Sequence, residues 1–186
     1  MKNQLQSAVL LKKMKRRRSM IQKIHKSIDI QAPVNRVFSY MEDPGNEPEW
    51  MESTINVKNI SGSGPKAQYD CSWKMAGVQL HGHTTRMEDI PNKRIVDETR
   101  GDGTHTWFYT FEPHGDTTTV ELDLKYNIPV PVQWRLAHEY IQRYTEGDSF
   151  MSDRPTLEDL IEKFIVRHTE REVEMDMQNV KEILEI

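Results

Sequence analysis

From Thr104 to Ile128 the chain alternates between apolar and polar positions with a period of two. His105, Trp107, Tyr109 and Phe111 fall on one face, and Thr104, Thr106, Thr110 and Glu112 on the other. After Pro113-His114-Gly115-Asp116 the alternation resumes, with Val120, Leu122, Leu124 and Tyr126 against Thr119, Glu121, Asp123 and Lys125. Alternation on both sides of a Gly/Asp turn predicts a β-hairpin with one buried and one solvated face. Its buried face is aromatic and leucine-rich but carries His105 and Tyr126. An apolar wall with a few polar groups is what a small-molecule pocket needs.

Similar patterns organise the rest of the chain. Ile21 to Ile30 reads as a first strand, stopped by Gln31-Ala32-Pro33. Val34, Val37, Phe38 and Met41 then recur at helical spacing, and a short Pro-bearing segment follows from Asn46 to Met51, with Trp50 plugging the core. Thr54–Ile60 reads as a second strand and Gln68–Ala76 as a third, the latter with Tyr69, Cys71, Trp73 and Met75 facing in. Val78–Ile90 and Arg94–Arg100 complete an antiparallel meander in a single sheet. Beyond Pro131, Trp134, Ala137, Tyr140, Ile141 and Tyr144 form a helical stripe ended by Gly147, and Asp148–Pro155 is a connector. The stripe Leu157, Leu160, Ile161, Phe164 is out of phase with Val166, Val173, Met177, Val180, Leu184. That phase difference predicts a short helix ending near Phe164–Ile165 and a separate long one from about Arg167 to Glu185.

Strand register carries the reading to candidate residues. A two-residue turn at Pro91-Asn92 sets Ile90 opposite Lys93 and Arg86 opposite Asp97. Three residues at Gly101–Gly103 set Asp97 opposite Trp107, and Phe111 facing Val120 sets His105 opposite Tyr126. Arg86 and Asp97 then form a cross-strand ion pair within an aromatic wall, flanked by Thr84 and Thr99. His105 and Tyr126 become neighbours inside. Either these groups satisfy one another as core, or they orient a ligand against Tyr69, Trp73, Trp107, Tyr109, Phe111, Leu122 and Leu124.

Composition narrows the classes. The 186 residues suffice for one domain with a real core, and no apolar run approaches the ~20 residues a membrane span needs. Residues 1–28 hold nine Lys/Arg and no acid, whereas the rest holds sixteen Lys/Arg against twenty-nine Asp/Glu. The acidic body argues against specific nucleic-acid binding. Residues 1–20 read as a basic, disordered leader before a single domain at 21–186; its cluster at 12–18 offers a peripheral membrane or protein contact, or an organelle-targeting signal. One cysteine, Cys71, excludes an intrachain disulfide and suggests the cytoplasm, with the thiol as core filler. The Gly/Ser turn at 61–65 lacks the Lys-Ser/Thr pair of a phosphate loop. His81 and His83 share one strand face, opposite Leu80, with no third ligand at a helpful spacing, so neither a metal nor a cofactor is expected.

Val37-Phe38-Ser39-Tyr40-Met41-Glu42-Asp43 followed by Asn46-Glu47-Pro48-Glu49-Trp50 resembles a stretch of START-like proteins, the SRPBCC or birch-pollen-allergen-like superfamily. Met177-Gln178-Asn179-Val180-Lys181-Glu182-Ile183-Leu184-Glu185 is similar to the ending of its polyketide cyclase/dehydrase and coenzyme Q-binding branch. The resemblance implies an α+β helix-grip fold: a curved antiparallel sheet of about seven strands around a long C-terminal helix, with two short helices after strand 1 and a hydrophobic cavity. It also marks residues 132–155 as a helical insertion, read as a lid, a dimerisation arm or a membrane-touching flap. Three functions stay open. The chain binds or carries a hydrophobic small molecule such as a lipid, an isoprenoid quinone or a polyketide-like compound. Alternatively it is a cofactor-free cyclase or dehydratase using His105, Tyr126 and Asp97, with Arg86 or Tyr126 stabilising an enolate. The third reading is a protein-interaction module contacting ribosomes or chaperones.

Overall fold

The computed structural model describes residues 20–75, 77–144 and 157–186; the basic cluster at 12–18, Ala76, Gly147 and the connector at 148–155 lie outside them. Strands β1 (Met20–Ile30), β2 (Thr54–Ser61), β3 (Gln68–Met75), β4 (Val78–Ile90), β5 (Arg94–Gly101), β6 (Thr104–His114) and β7 (Thr117–Ile128) form one antiparallel sheet. Their order is β1-β7-β6-β5-β4-β3-β2, a meander with the first strand added beyond the last. Helix α1 (Val34–Glu42), a 3-10 turn at Pro44–Asn46 and the short α2 (Glu47–Trp50) carry the chain from β1 to β2. Helix α3 (Val130–Tyr144) follows β7, and α4 (Leu157–Leu184) packs on the apolar face of the sheet. This is the expected α+β helix-grip arrangement. None of the described helices is long and apolar enough to cross a membrane.

The opening hairpin forms as its pattern dictates. His114 pairs with Thr117, leaving Gly115-Asp116 as a two-residue turn, and Gly115 takes φ +69°. A glycine in the first position of such a turn matches the twist of the flanking strands. Val120, Leu122, Leu124 and Tyr126 are all buried beneath it. His105 pairs with Tyr126 and Asp97 with Trp107, as the register argument required.

The β4–β5 turn differs from expectation by one residue. Ile90 pairs with Arg94, not Lys93, across a three-residue turn in which Asn92 has φ +61°. The two-residue hairpin turns need a positive φ in their first position, which the ring of Pro91 forbids. A bulge between Arg86 and Glu88 removes the extra residue, leaving Met87 exposed and Arg86 opposite Asp97 after all.

The C-terminal segment is one helix of 28 residues, without the predicted break. Its buried stripe runs Ile165, Thr169, Val173, Asp176, Met177, Val180 and Leu184. Thr169 and Asp176 occupy inward positions where an apolar residue was sought, so the hydrophobic pattern alone looked interrupted. Thr169 donates its hydroxyl to the Ile165 carbonyl at 2.9 Å, which keeps that polar group satisfied within the helix. Among the described side chains of α3, Val132, Gln133 and Leu136 are buried and Trp134 is half-buried, while the other members of the predicted stripe, Ala137, Tyr140, Ile141 and Tyr144, have side chains outside the described residues. Gln133 caps the end of β7 through a 2.7 Å hydrogen bond from Nε2 to the Ile128 carbonyl.

The two stretches that carried the family resemblance meet in space. Asn179 of α4 donates to the carbonyl of Trp50 at 3.1 Å, and the Glu52 amide donates to Asp176 at 2.9 Å. Trp50 is buried edge-on to Tyr109, with ring centroids 6.3 Å apart. The α2 segment is thereby pinned between helix and sheet, and this pinning creates the site.

Candidate functional site

A cavity of about 70 Å³ lies between the sheet, α4 and the segment from α2 into β2. Its sheet wall comprises Tyr69, Cys71, Trp73 and Met75 of β3, Thr84 of β4, Asp97 and Thr99 of β5, His105, Trp107 and Tyr109 of β6, and Leu124 of β7. Helix α4 supplies Thr169, Glu172, Val173 and Asp176, and the α2–β2 segment supplies Glu47, Met51, Ser53 and Thr54. This volume holds a few waters, well short of a drug-sized guest's pocket, so anything larger requires α4 or the α2–β2 segment to move outward.

Of the residues singled out from sequence, Tyr69, Trp73, Asp97, His105, Trp107, Tyr109 and Leu124 reach this wall, and Arg86, Phe111, Leu122 and Tyr126 do not. Phe111 packs edge-on against Phe38 of α1, centroids 5.3 Å apart, and Leu122 is enclosed in the core. Arg86 is 2% exposed and held from three sides. Its Nε and Nη2 donate to the two oxygens of Asp97 at 2.9 Å each, and Nη1 donates to the Glu42 carbonyl at 2.7 Å. Asp89 lies 3.5 Å from Nη1. The guanidinium thus ties the end of α1 to the sheet. Tyr126 is buried beside His105, and its hydroxyl lies near that of Thr169 rather than on the cavity wall.

Several wall residues escaped the sequence reading. Glu47, which the sequence placed only within a short Pro-bearing segment, turns its carboxyl inward and accepts a hydrogen bond from the Tyr69 hydroxyl. Burial, with the negative charge of Asp97 adding to it, pushes Glu47 up to about 8. Asp176 and Glu172, which the sequence reading did not single out, bring two more carboxyls to the wall. Burial raises Asp176 to about 7, and Glu172 pairs with His168 at 3.0 Å. The usable signal for Asp176 and Thr169 was the apparent phase break in α4. Cys71, expected as core filler, lies on the wall; burial pushes its thiol up to about 11, which makes it a poor nucleophile. The Thr84 and Thr99 hydroxyls bond each other at 2.8 Å.

His105 stands apart. It is 8% exposed, and its ring makes only aromatic contacts, edge-on to Trp73 at 5.1 Å and tilted to Tyr126 at 6.4 Å. Burial lowers it to about 4, so the imidazole is neutral at physiological pH, with one nitrogen a donor and the other an acceptor. On the opposite face of the sheet His81 and His83 are exposed, as expected, and His83 Nδ1 lies 2.8 Å from Asp70. Among the described residues no cluster of His, Cys, Asp and Glu is grouped to hold a metal ion.

A seven-stranded antiparallel sheet packed on a long helix has known counterparts. Residues 22–149 match the family model described as polyketide cyclase / dehydrase and lipid transport. The chain belongs to this family. Among solved structures, a protein from Thermus thermophilus superposes with a TM-score of 0.66 at 16% identity, covering 88% of this chain and 97% of that one. The Zhui aromatase/cyclase from Streptomyces sp. R1128 gives 0.65 at 13% identity, over 89% and 94% of the two chains. A START superfamily protein from Mycobacterium smegmatis gives 0.50 at 14% identity, over 82% and 97%. At these identities the likeness establishes the fold, and the START-like resemblance read from sequence holds. No curated protein matches the sequence.

Proposed function

We propose that this protein binds a hydrophobic small molecule between the sheet and α4, as a carrier or sequestering protein. The observation that carries the reading is the cavity itself: an aromatic and aliphatic wall that also bears carboxyls, hydroxyls and the imidazole of His105. Apolar burial contributes at ~25 cal/mol per Å², less the ordering costs of binding. Trp107 is central, half-buried on the wall and stacked on Tyr109 with centroids 6.4 Å apart and planes 3° from parallel. The neutral fluorophore N-phenyl-1-naphthylamine serves as probe. Trp107→Ala is expected to weaken its binding about tenfold or more while cooperative thermal unfolding persists. Unchanged probe binding would remove the cavity as the site.

A second reading, a cofactor-free cyclase or dehydratase, is favoured by one observation: a proton-bearing carboxyl, Glu47, and a neutral imidazole, His105, line the same cavity. In such a step His105 would take a proton from carbon beside a keto group while Glu47 supports the developing enolate oxygen. The weak basicity that burial imposes on His105 weighs against this, and binding without chemistry is the preferred reading. Conversion of a polyketone by wild type but not by His105→Ala would reverse that preference.

A further inference from the structure

Helix α4 is fastened along two seams, and they differ. Toward β1, four side-chain links among the described residues join it to the sheet. Gln22 donates to Glu162 at 3.3 Å and Lys26 to Glu174 at 3.1 Å, while Lys181 reaches the Asp29 carbonyl at 2.6 Å and Glu185 the Gln31 amide at 2.7 Å. Among the described residues, none of β1 lines the cavity. Toward the segment from α2 into β2, two hydrogen bonds among the described residues close the seam: Asn179 to the Trp50 carbonyl, and the Glu52 amide to Asp176 Oδ1. Here both sides border the void, with Met51, Ser53 and Thr54 on one and Val173 and Asp176 on the other. A guest larger than a few waters therefore enters most directly by parting this second, lightly held seam.

We infer that the seam between α4 and the α2–β2 segment is the mouth of the cavity and that Asp176 is its proton-operated latch, holding while protonated and loosening as it becomes a carboxylate. This rests on the binding reading above and adds how the site opens. Asp176 is 4% exposed, and the groups facing it are acidic or neutral. Glu172 stands one turn earlier on α4, paired with His168, and Glu52 and Glu47 come from the α2–β2 segment. The sheet adds Tyr109, whose hydroxyl feels both Asp176 and Glu47, the neutral His105, and Asp97, already held by Arg86. Among the described residues no lysine or arginine lines the cavity. An ionised Asp176 is thus short of water and countercharge while the seam is closed, and it regains water when the seam parts. Burial raises the closed form to about 7, so by linkage ionisation favours the parted form. Loss of the His168 proton acts in the same direction, because it leaves the Glu172 charge uncompensated beside Asp176.

Hydrogen exchange of the Glu52 amide, expressed as protection relative to an unstructured chain, reads the seam without any guest. Between pH 6 and 8 that protection is expected to fall about tenfold, as follows when a carboxyl at about 7 returns to its ordinary 3.8 on opening. Amides of β7 report global unfolding and are expected to lose less. Asp176→Asn stays neutral and still accepts from the Glu52 amide, so its protection is expected to be flat with pH. Asn179→Ala is expected to lower protection at both pH values, and Lys26→Ala, on the β1 seam, to leave it unchanged. The association rate of N-phenyl-1-naphthylamine is expected to rise with pH in wild type and to stay level in Asp176→Asn. Protection independent of pH, a fall matched by the β7 amides, or an equal fall in Asp176→Asn overturns the latch. Faster probe entry in Lys26→Ala but not in Asn179→Ala overturns the mouth. A probe that fails to bind while Glu52 exchange behaves as expected sinks the binding reading and leaves the latch standing, which separates the two failures.

Discussion

Two polar groups sit a few strands apart in one interior and are treated in opposite ways. Arg86 has a bidentate carboxylate, a backbone carbonyl and a second acid around it, all supplied by the chain. His105 has aromatic rings around it and nothing to bond among the described residues. Both are well buried, so burial alone does not separate structural from functional groups. Satisfaction does: the closed cluster holds α1 on the sheet, and the open one faces the cavity. The same contrast splits the acids, with Asp97 spent on Arg86 while Glu47 and Asp176 keep raised affinities for a proton.

The largest expected effect comes from opening the closed cluster. Asp97→Ala strands a buried guanidinium and should cost about 3–5 kcal/mol in urea unfolding. The double variant Arg86→Met/Asp97→Leu should recover most of that loss, because it removes both charges together. A small loss in the single variant would mean the pair is not structural. The contrast sharpens at His105. His105→Phe removes an unpaired polar group and is expected to leave stability unchanged or raise it by about 1 kcal/mol, while guest binding falls. A destabilisation like that of Asp97→Ala would put His105 in the closed class.

The smallest effect is a slope with pH. Glu47 holds its proton to about 8 against the usual 4.5, and Asp176 to about 7 against 3.8. Between those values the folded protein binds more protons than the unfolded chain, so stability falls as pH rises. His105, lowered from 6.5 to about 4, acts in reverse: its contribution grows between about 4 and 6.5 and is then constant. Above 6.5 the acids act together with His168, which its hydrogen bond with Glu172 raises above its ordinary value and whose slope has the same sign, so stability should decline toward about pH 8. Glu47→Gln should flatten this decline in thermal melts taken across that range. A decline of undiminished slope would place the ionisation elsewhere.

The sheet was legible because a period of two leaves little freedom once one face is apolar. Trp107, facing in, fixed the inward set on β5, and Asp97 followed from it. Pro91 was legible too, had its ring-bound φ been used to reject the two-residue turn. The helices were harder, since a stripe is recognised by what is apolar, and Thr169 and Asp176 are polar because the cavity lies beneath them. Glu47 was hidden differently. Its backbone belongs to a half-exposed, four-residue helix, and only the folded position of α2 against β3 turns the carboxyl toward Tyr69. Wall residues of a pocket break the patterns that reveal a core.

The most direct measurement is the imidazole NMR signal of His105, assigned by comparison with His105→Phe, during titration with 2-acetonaphthone. Occupation of the cavity predicts a saturable shift of the His105 ring resonances, with His83 on the outer face unmoved. Saturation of the protein with His105 unchanged, or shifts confined to the surface histidines, would contradict the account.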